Sequence, residues 1–193
     1  MPSRMKTRSY TGKMKRILFF ISMVAAIGCS QAQTSNQAAQ AQSAQATSPK
    51  LHIDKIPVFR ILTQDSVYVN NSILKNNKPV VFIYFSPDCS HCQRLMYELK
   101  PYMKDFSKTQ VVMVTFIQTS YLKLLREFRR DFSLNSYPNF ITGTEYPDYK
   151  LQRYFQVATT PFIAIYGRNG KLVKYFDKSP KEIAEFVDVV KKQ

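Results

Sequence analysis

Two cysteines separated by two residues, Cys89-Ser90-His91-Cys92, hold the most chemical potential in this 193-residue chain. They follow an unbroken apolar run, Val80 to Phe85, by way of Ser86-Pro87-Asp88, and they open a stretch of helical spacing that runs to Phe106. A cysteine at the start of a helix faces backbone N–H groups without intrahelical partners and the positive end of the helix dipole. Both favour a thiolate. The spacer brings the second cysteine round by one helical turn, close enough for a disulfide. An imidazolium at His91 lowers the Cys89 pKa further, and the Asp88 carboxylate opposes it. Closing so short a loop gains little entropic stabilisation, so the pair reads as a redox couple rather than a structural crosslink.

Two other chemistries are open to the same residue types. Cys89, His91 and Cys92 are soft metal ligands, but tetrahedral zinc needs a fourth, and the remaining histidine, His52, stands at the domain edge. No metal and no separate cofactor are therefore expected. A peroxiredoxin-type cysteine needs a proline seven positions earlier, where Phe82 and Phe85 stand.

An α/β layered domain must position the pair. Ile56–Leu62 and Ser66–Val69 read as short strands, and Val80–Phe85 as a central strand covered on both faces. The helix Ser90–Phe106 is expected to kink near Pro101, and its Leu95, Met96 and Leu99 stripe reads as core. Val111–Ile117 is the next strand, and a basic helix follows from Tyr121 to Phe132, whose Lys123, Arg126, Arg129 and Arg130 read as a solvated face. Residues 133–150 read as turns. Leu151–Phe155 forms a short helix and Pro161–Tyr166 a strand. Gly167-Arg168-Asn169-Gly170 is a hairpin turn in which Asn-Gly supplies positive φ. Lys171–Phe176 returns antiparallel, and an amphipathic helix closes the chain over Pro180–Val190.

With these elements in order, Phe85 to Cys92 and the later Val157-Ala158-Thr159-Thr160-Pro161-Phe162 resemble the thioredoxin superfamily, and more closely its exported TlpA/ResA-like branch. The resemblance spans roughly residues 55–192. It implies a thioredoxin-like fold with a central mixed sheet, and thiol–disulfide exchange with protein thiols and disulfides and with an upstream redox partner. Cys89 and Cys92 become the reactive pair, His91 and Asp88 its tuning residues, and Thr160 with a cis Pro161 the substrate groove. Three positions depart from the family pattern. Asp88 stands for the usual Trp, Ser-His for the middle Gly-Pro, and Ile83 for the acid six residues before the first cysteine. Glu145 is a candidate replacement for that acid. The Ser-His pair is similar to that of oxidising members, which leaves the direction of electron flow open.

Residues 1–28 hold six basic residues and no acidic one, followed by the apolar run Ile17–Ile27. Eleven residues at 1.5 Å each span about 17 Å, too little for a bilayer of about 30 Å, so the segment reads as a signal peptide. Its end has two readings: a lipobox, Ala26-Ile27-Gly28-Cys29, with Cys29 lipidated, or cleavage after Ser30-Gln31-Ala32. Residues 29–50, rich in Gln, Ala and Ser, read as a flexible tether, and residues 51–193 as the domain. The expected location is the cell envelope or periplasm. The chain carries +15, of which the signal takes six, leaving a basic but ordinary +9. Export disfavours nucleic acid as a partner. A second functional class, a non-catalytic thioredoxin-fold lipoprotein that binds an envelope partner, or less readily a metal-delivery protein, stands beside the enzyme.

Overall fold

The computed structural model describes residues 51–193. The expectations for the signal peptide, Cys29 and the tether lie outside the described residues. Seven strands form one mixed sheet in the order β2-β1-β5-β4-β3-β6-β7. They are β1 (Arg60–Thr63), β2 (Tyr68–Asn70), β3 (Val80–Tyr84), β4 (Gln110–Thr115), β5 (Phe140–Thr144), β6 (Phe162–Tyr166) and β7 (Leu172–Phe176). β3, β4 and β5 run parallel, while β6 is antiparallel to β3, with Tyr84 opposite Phe162 and Val80 opposite Tyr166. All five residues of β3 are buried, the consequence of a sheet covered on both sides.

Alternation along the strands divides the core in two. On one face Val81, Ile83 and Phe85 pack with α1 (Ser90–Leu99), α2 (Leu122–Asp131) and α4 (Ile183–Lys191). On the other, Val80, Phe82 and Tyr84 pack with α3 (Lys150–Phe155) and with Ile53 and Phe59 from the segment before β1. α1 buries Cys92, Leu95, Met96 and Leu99. The helix expected to run on to Phe106 instead tightens at Leu99 into a 3-10 helix, Lys100–Phe106, because Pro101 has no N–H for an α-helical bond.

Two expectations are corrected. The segment 133–150 holds a full strand, β5, at the heart of the sheet between β4 and β1. Its Thr-Gly-Thr composition reads as a turn, yet each residue has a packing reason. A Cβ on Gly143 would lie 2.9 Å from the Ile61 side chain and 2.9 Å from the Leu62 carbonyl oxygen, so only glycine lets β1 approach. Thr142 and Thr144 bond Gln64 Oε1 and the Ile117 carbonyl. Arg129, expected on a solvated face, is also buried. Its guanidinium donates to Asn135 Oδ1 (3.1 Å), the Phe140 carbonyl (2.9 Å), Thr142 Oγ1 (3.3 Å) and the Leu134 carbonyl (3.2 Å). Lys123, Arg126 and Arg130 are exposed as expected.

Candidate active site

β3 delivers the chain to the site. The Phe85 N–H bonds the Val114 carbonyl at 2.8 Å, the last sheet-like bond before the turn. Ser86-Pro87-Asp88 then folds back so that the Cys89 N–H donates to the Ser86 carbonyl at 3.2 Å. Gln93 Nε2 braces the turn from within α1 by donating to the Pro87 carbonyl at 2.9 Å. Cys89 is the N-cap of α1, in extended conformation (φ −79°, ψ 119°), and its side chain makes no capping bond. Its sulfur stays free at the mouth of the helix, where unpaired N–H groups concentrate.

The two sulfurs occupy different environments. Cys89 is half-buried and Cys92 fully buried, and both are free thiols. Partial burial pushes the Cys89 thiol up, but hydrogen bonds with Thr160, with the backbone and thiol of Cys92 and with the His91 backbone together hold it below its ordinary value. Burial pushes the Cys92 thiol up to about 12, with a smaller rise from Cys89 against the opposing Ser86 backbone. Cys89 therefore gives up its proton more readily than an ordinary thiol and Cys92 less readily.

Cys89 Sγ points across to the Thr160 carbonyl oxygen at 3.6 Å. The Thr160–Pro161 peptide bond is cis. Thr159 Oγ1 donates to the Asp177 carbonyl at 3.2 Å, tying this loop to the turn after β7. A largely apolar hollow of about 400 Å³ lies between them, lined by His91, Thr159, Thr160, Pro161, Lys178 and Ser179. The Ser179 hydroxyl is buried with no hydrogen-bond partner.

The structure thus brings together Cys89, Cys92, His91, Thr160 and Pro161. His91 acts on Cys89 through its backbone N–H, and its exposed imidazole joins the wall of the hollow. The Asp88 carboxylate accepts the Ser86 hydroxyl proton. Glu145 does not replace the missing acid. Its oxygens accept from the Tyr84 hydroxyl (2.7 Å) and from the N–H groups of Leu151 (2.6 Å) and Gln152 (2.9 Å), at the start of α3. Tyr84 belongs to the core on the opposite side of the sheet from Cys92. Lys178 and Ser179 were not among the expected site residues. The available signal was topological, since an antiparallel β7 must return the chain to the Pro161 end of β6. Among the described residues no group of three His, Cys, Asp or Glu side chains is placed to hold a metal ion, and no helix is long and apolar enough to cross a membrane.

Comparison with known proteins agrees with this architecture. The thioredoxin-like domain model matches residues 70–191, and the chain belongs to that family. No curated protein matches the sequence. Among solved structures, a secreted Mycobacterium tuberculosis disulfide oxidoreductase homologous to E. coli DsbE aligns with a TM-score of 0.57 at 17% identity, over 70% of this chain and 96% of that one. A thiol-disulfide oxidoreductase from Bacteroides fragilis aligns with a TM-score of 0.56 at 12% identity, over 69% and 97%. A peroxiredoxin-like protein from Aquifex aeolicus aligns with a TM-score of 0.57 at 16% identity, over 72% and 85%. At such identities the likeness is one of fold, and function must be argued from the site.

Proposed function

We propose that the protein is an exported thiol–disulfide oxidoreductase whose reactive group is the Cys89–Cys92 couple itself, with no further cofactor. The observation that carries this reading is the asymmetry of the pair: an accessible Cys89 with a lowered pKa at a helix N-terminus, over a buried Cys92 held at about 12.

In the reducing direction, the Cys89 thiolate attacks one sulfur of a substrate disulfide. The Cys89–substrate bond forms, the substrate S–S bond breaks, and the second substrate sulfur leaves as a thiolate. Cys92 then gives up its proton and attacks the Cys89 sulfur, releasing the first substrate thiol. Two electrons have passed from the pair to the substrate. The oxidising direction traverses the same mixed disulfide in reverse. Thr160, Pro161 and His91 line the groove against which an extended substrate segment lies. The basic and apolar N-terminal residues and Cys29 support export and a lipid anchor, with proteins of the cell envelope as substrates.

Trapping tests the reading. A Cys92→Ala variant expressed in the source cells should accumulate mixed disulfides through Cys89, and a variant also carrying Cys89→Ser should accumulate none. Equal, slow turnover of a model disulfide by the parent protein and by Cys89→Ser would rule the enzyme out. The reduction potential of the couple gives the direction, near about −270 mV for a reductase and near about −120 mV for an oxidant.

A further inference from the structure

The end of the sheet opposite the thiols has its own chemistry. β3, β4 and β5 start there, and β6 and β7 join there through the hairpin turn. Their connecting loops carry Lys75 and Lys78 before β3, Lys108 before β4, and Arg168 and Lys171 around the hairpin. A run of shallow hollows across this pole is lined by these five cations, and no Asp or Glu side chain lines any of them. Asp105, three residues before Lys108, and Asp54, whose backbone bonds Leu172, line none of the hollows. Ion pairs among the described residues occupy Arg94, Lys123, Arg130, Lys150 and Lys174, and none of the five polar cations takes part.

These cations sit on loops held by side-chain clamps. The buried Gln110 side chain accepts from the Lys75 N–H at 2.5 Å and donates to the Lys75 carbonyl at 3.1 Å. Asn139 Nδ2 donates to the carbonyls of Phe106 (2.9 Å) and Thr109 (3.0 Å), fixing the turn that carries Lys108. An array of cations without ion-pair partners, spread over several hollows, matches an extended anionic surface better than a single small anion, which would want convergent donors. A second observation concerns where the chain enters. The Asp54 backbone carbonyl accepts from the Leu172 N–H at 2.9 Å and the Lys55 backbone forms an antiparallel bridge with Lys171, so the described chain joins the fold beside the start of β7, at this same pole.

The geometry points to a membrane-docking face: the Lys75, Lys78, Lys108, Arg168 and Lys171 pole rests on an anionic lipid surface and presents the Cys89 groove away from it. This goes beyond thiol exchange and stands or falls separately from it. The face adds electrostatic orientation to whatever anchor the N-terminal residues supply, and salt weakens it because exposed charges are screened.

Lysine footprinting tests this on the full chain carrying Cys29→Ser, so that no acyl group contributes. Reductive methylation is followed by mass spectrometry in the presence of vesicles of 30% phosphatidylglycerol in phosphatidylcholine, of phosphatidylcholine alone, and of soluble polyglutamate at matched charge. Lys75, Lys78, Lys108 and Lys171 should be protected at least threefold on the anionic vesicles and unprotected on the neutral ones, with Lys123 and Lys181 unchanged in both. A Lys75→Gln, Lys78→Gln, Lys108→Gln, Arg168→Gln variant should lose at least tenfold in vesicle partitioning, since each cation contributes up to about fivefold. A control of equal charge, Lys100→Gln, Lys123→Gln, Arg130→Gln, Lys181→Gln, should lose less than threefold. Uniform protection, no protection, or an equal loss in the control overturns the proposal. Protection by polyglutamate without protection by vesicles assigns the pole to an acidic protein and overturns it too. Cys89 alkylation, read in parallel, reports the exchange site independently.

Discussion

Ile83 and Tyr84 are neighbours on β3, yet their side chains enter two chemically different cores. Ile83 faces the helical side with Cys92, Leu95 and Met113, where no carboxylate is buried. Tyr84 faces the other side, where its hydroxyl donates to a fully buried Glu145 that also caps α3. Burial, reinforced by the charge of Glu145 and the bond to it, pushes the Tyr84 hydroxyl well above the ordinary phenol range. The buried Tyr84–Glu145 pairing thus lies across the sheet from the cysteine pair. Among the described residues no buried carboxylate shares the core of Cys92, whose thiol is tuned mainly by burial, whereas Glu145 is committed to architecture. Sequence distance hides this: Glu145 sits at the end of β5, beside the strand that follows α1, but on the wrong side of the pleat for the thiol.

The sharpest break in this contrast is Glu145→Ala. It leaves the Tyr84 hydroxyl and the N–H groups of Leu151 and Gln152 without their acceptor, at a cost of about 3–5 kcal/mol by urea unfolding. The alkylation rate of Cys89 in the folded protein should stay within twofold of the parent. A slowed or pH-shifted thiol would show that Glu145 communicates with the pair after all. On the helical side, Arg129→Met strips the Phe140 and Leu134 carbonyls of their donors and should cost about 2–3 kcal/mol. Because Arg129 ties α2 to β5, its loss should also raise amide exchange in β5 ahead of β3. Smaller again is Tyr84→Phe, which removes one of the three donors to Glu145 and should cost about 1 kcal/mol.

The legible parts of the fold were those with local causes. β3 could be read from five consecutive apolar residues, α1 from its apolar stripe, and the β6–β7 hairpin from Asn169-Gly170, where Gly170 takes φ 71°. The cysteine pair and its helix start were legible for the same reason, spacing and residue type, while Thr160-Pro161 was legible only through the resemblance to the thioredoxin superfamily. The remainder depended on partners distant in sequence. β5 looks like a loop until Ile61 and Leu62 are placed against Gly143. Arg129 looks like one more surface cation until Leu134, Phe140 and Thr142 supply oxygens. Glu145 is an acid in a chain whose central strand lacks the expected one, and only the pleat of β3 shows that the sheet separates it from Cys92.

The finest version of the contrast is within the cysteine pair, where the two thiols bend stability against pH in opposite senses. In the unfolded chain both thiols titrate at the ordinary value of 9.0. Cys89 is lowered in the fold, so the unfolded chain binds its proton more tightly, and this contribution is present above pH 9 and lost as pH falls through the folded pKa. Cys92 is raised to about 12, so its contribution is complete below pH 9 and lost as pH climbs towards 12. At pH 10 the Cys92 loss amounts to about 1.4 kcal/mol, one pKa unit of linkage. Urea unfolding of the reduced protein from pH 7.5 to 10.5 should therefore fall less steeply on the alkaline side in Cys92→Ala, while Cys89→Ser should flatten the rise on the near-neutral side. The buried Tyr84 and Tyr166 add their own alkaline slope, but both variants retain them, so the difference belongs to the thiols. An alkaline limb as steep in Cys92→Ala as in the parent would mean that water or a moving side chain reaches Cys92, and that burial is not what sets its proton affinity.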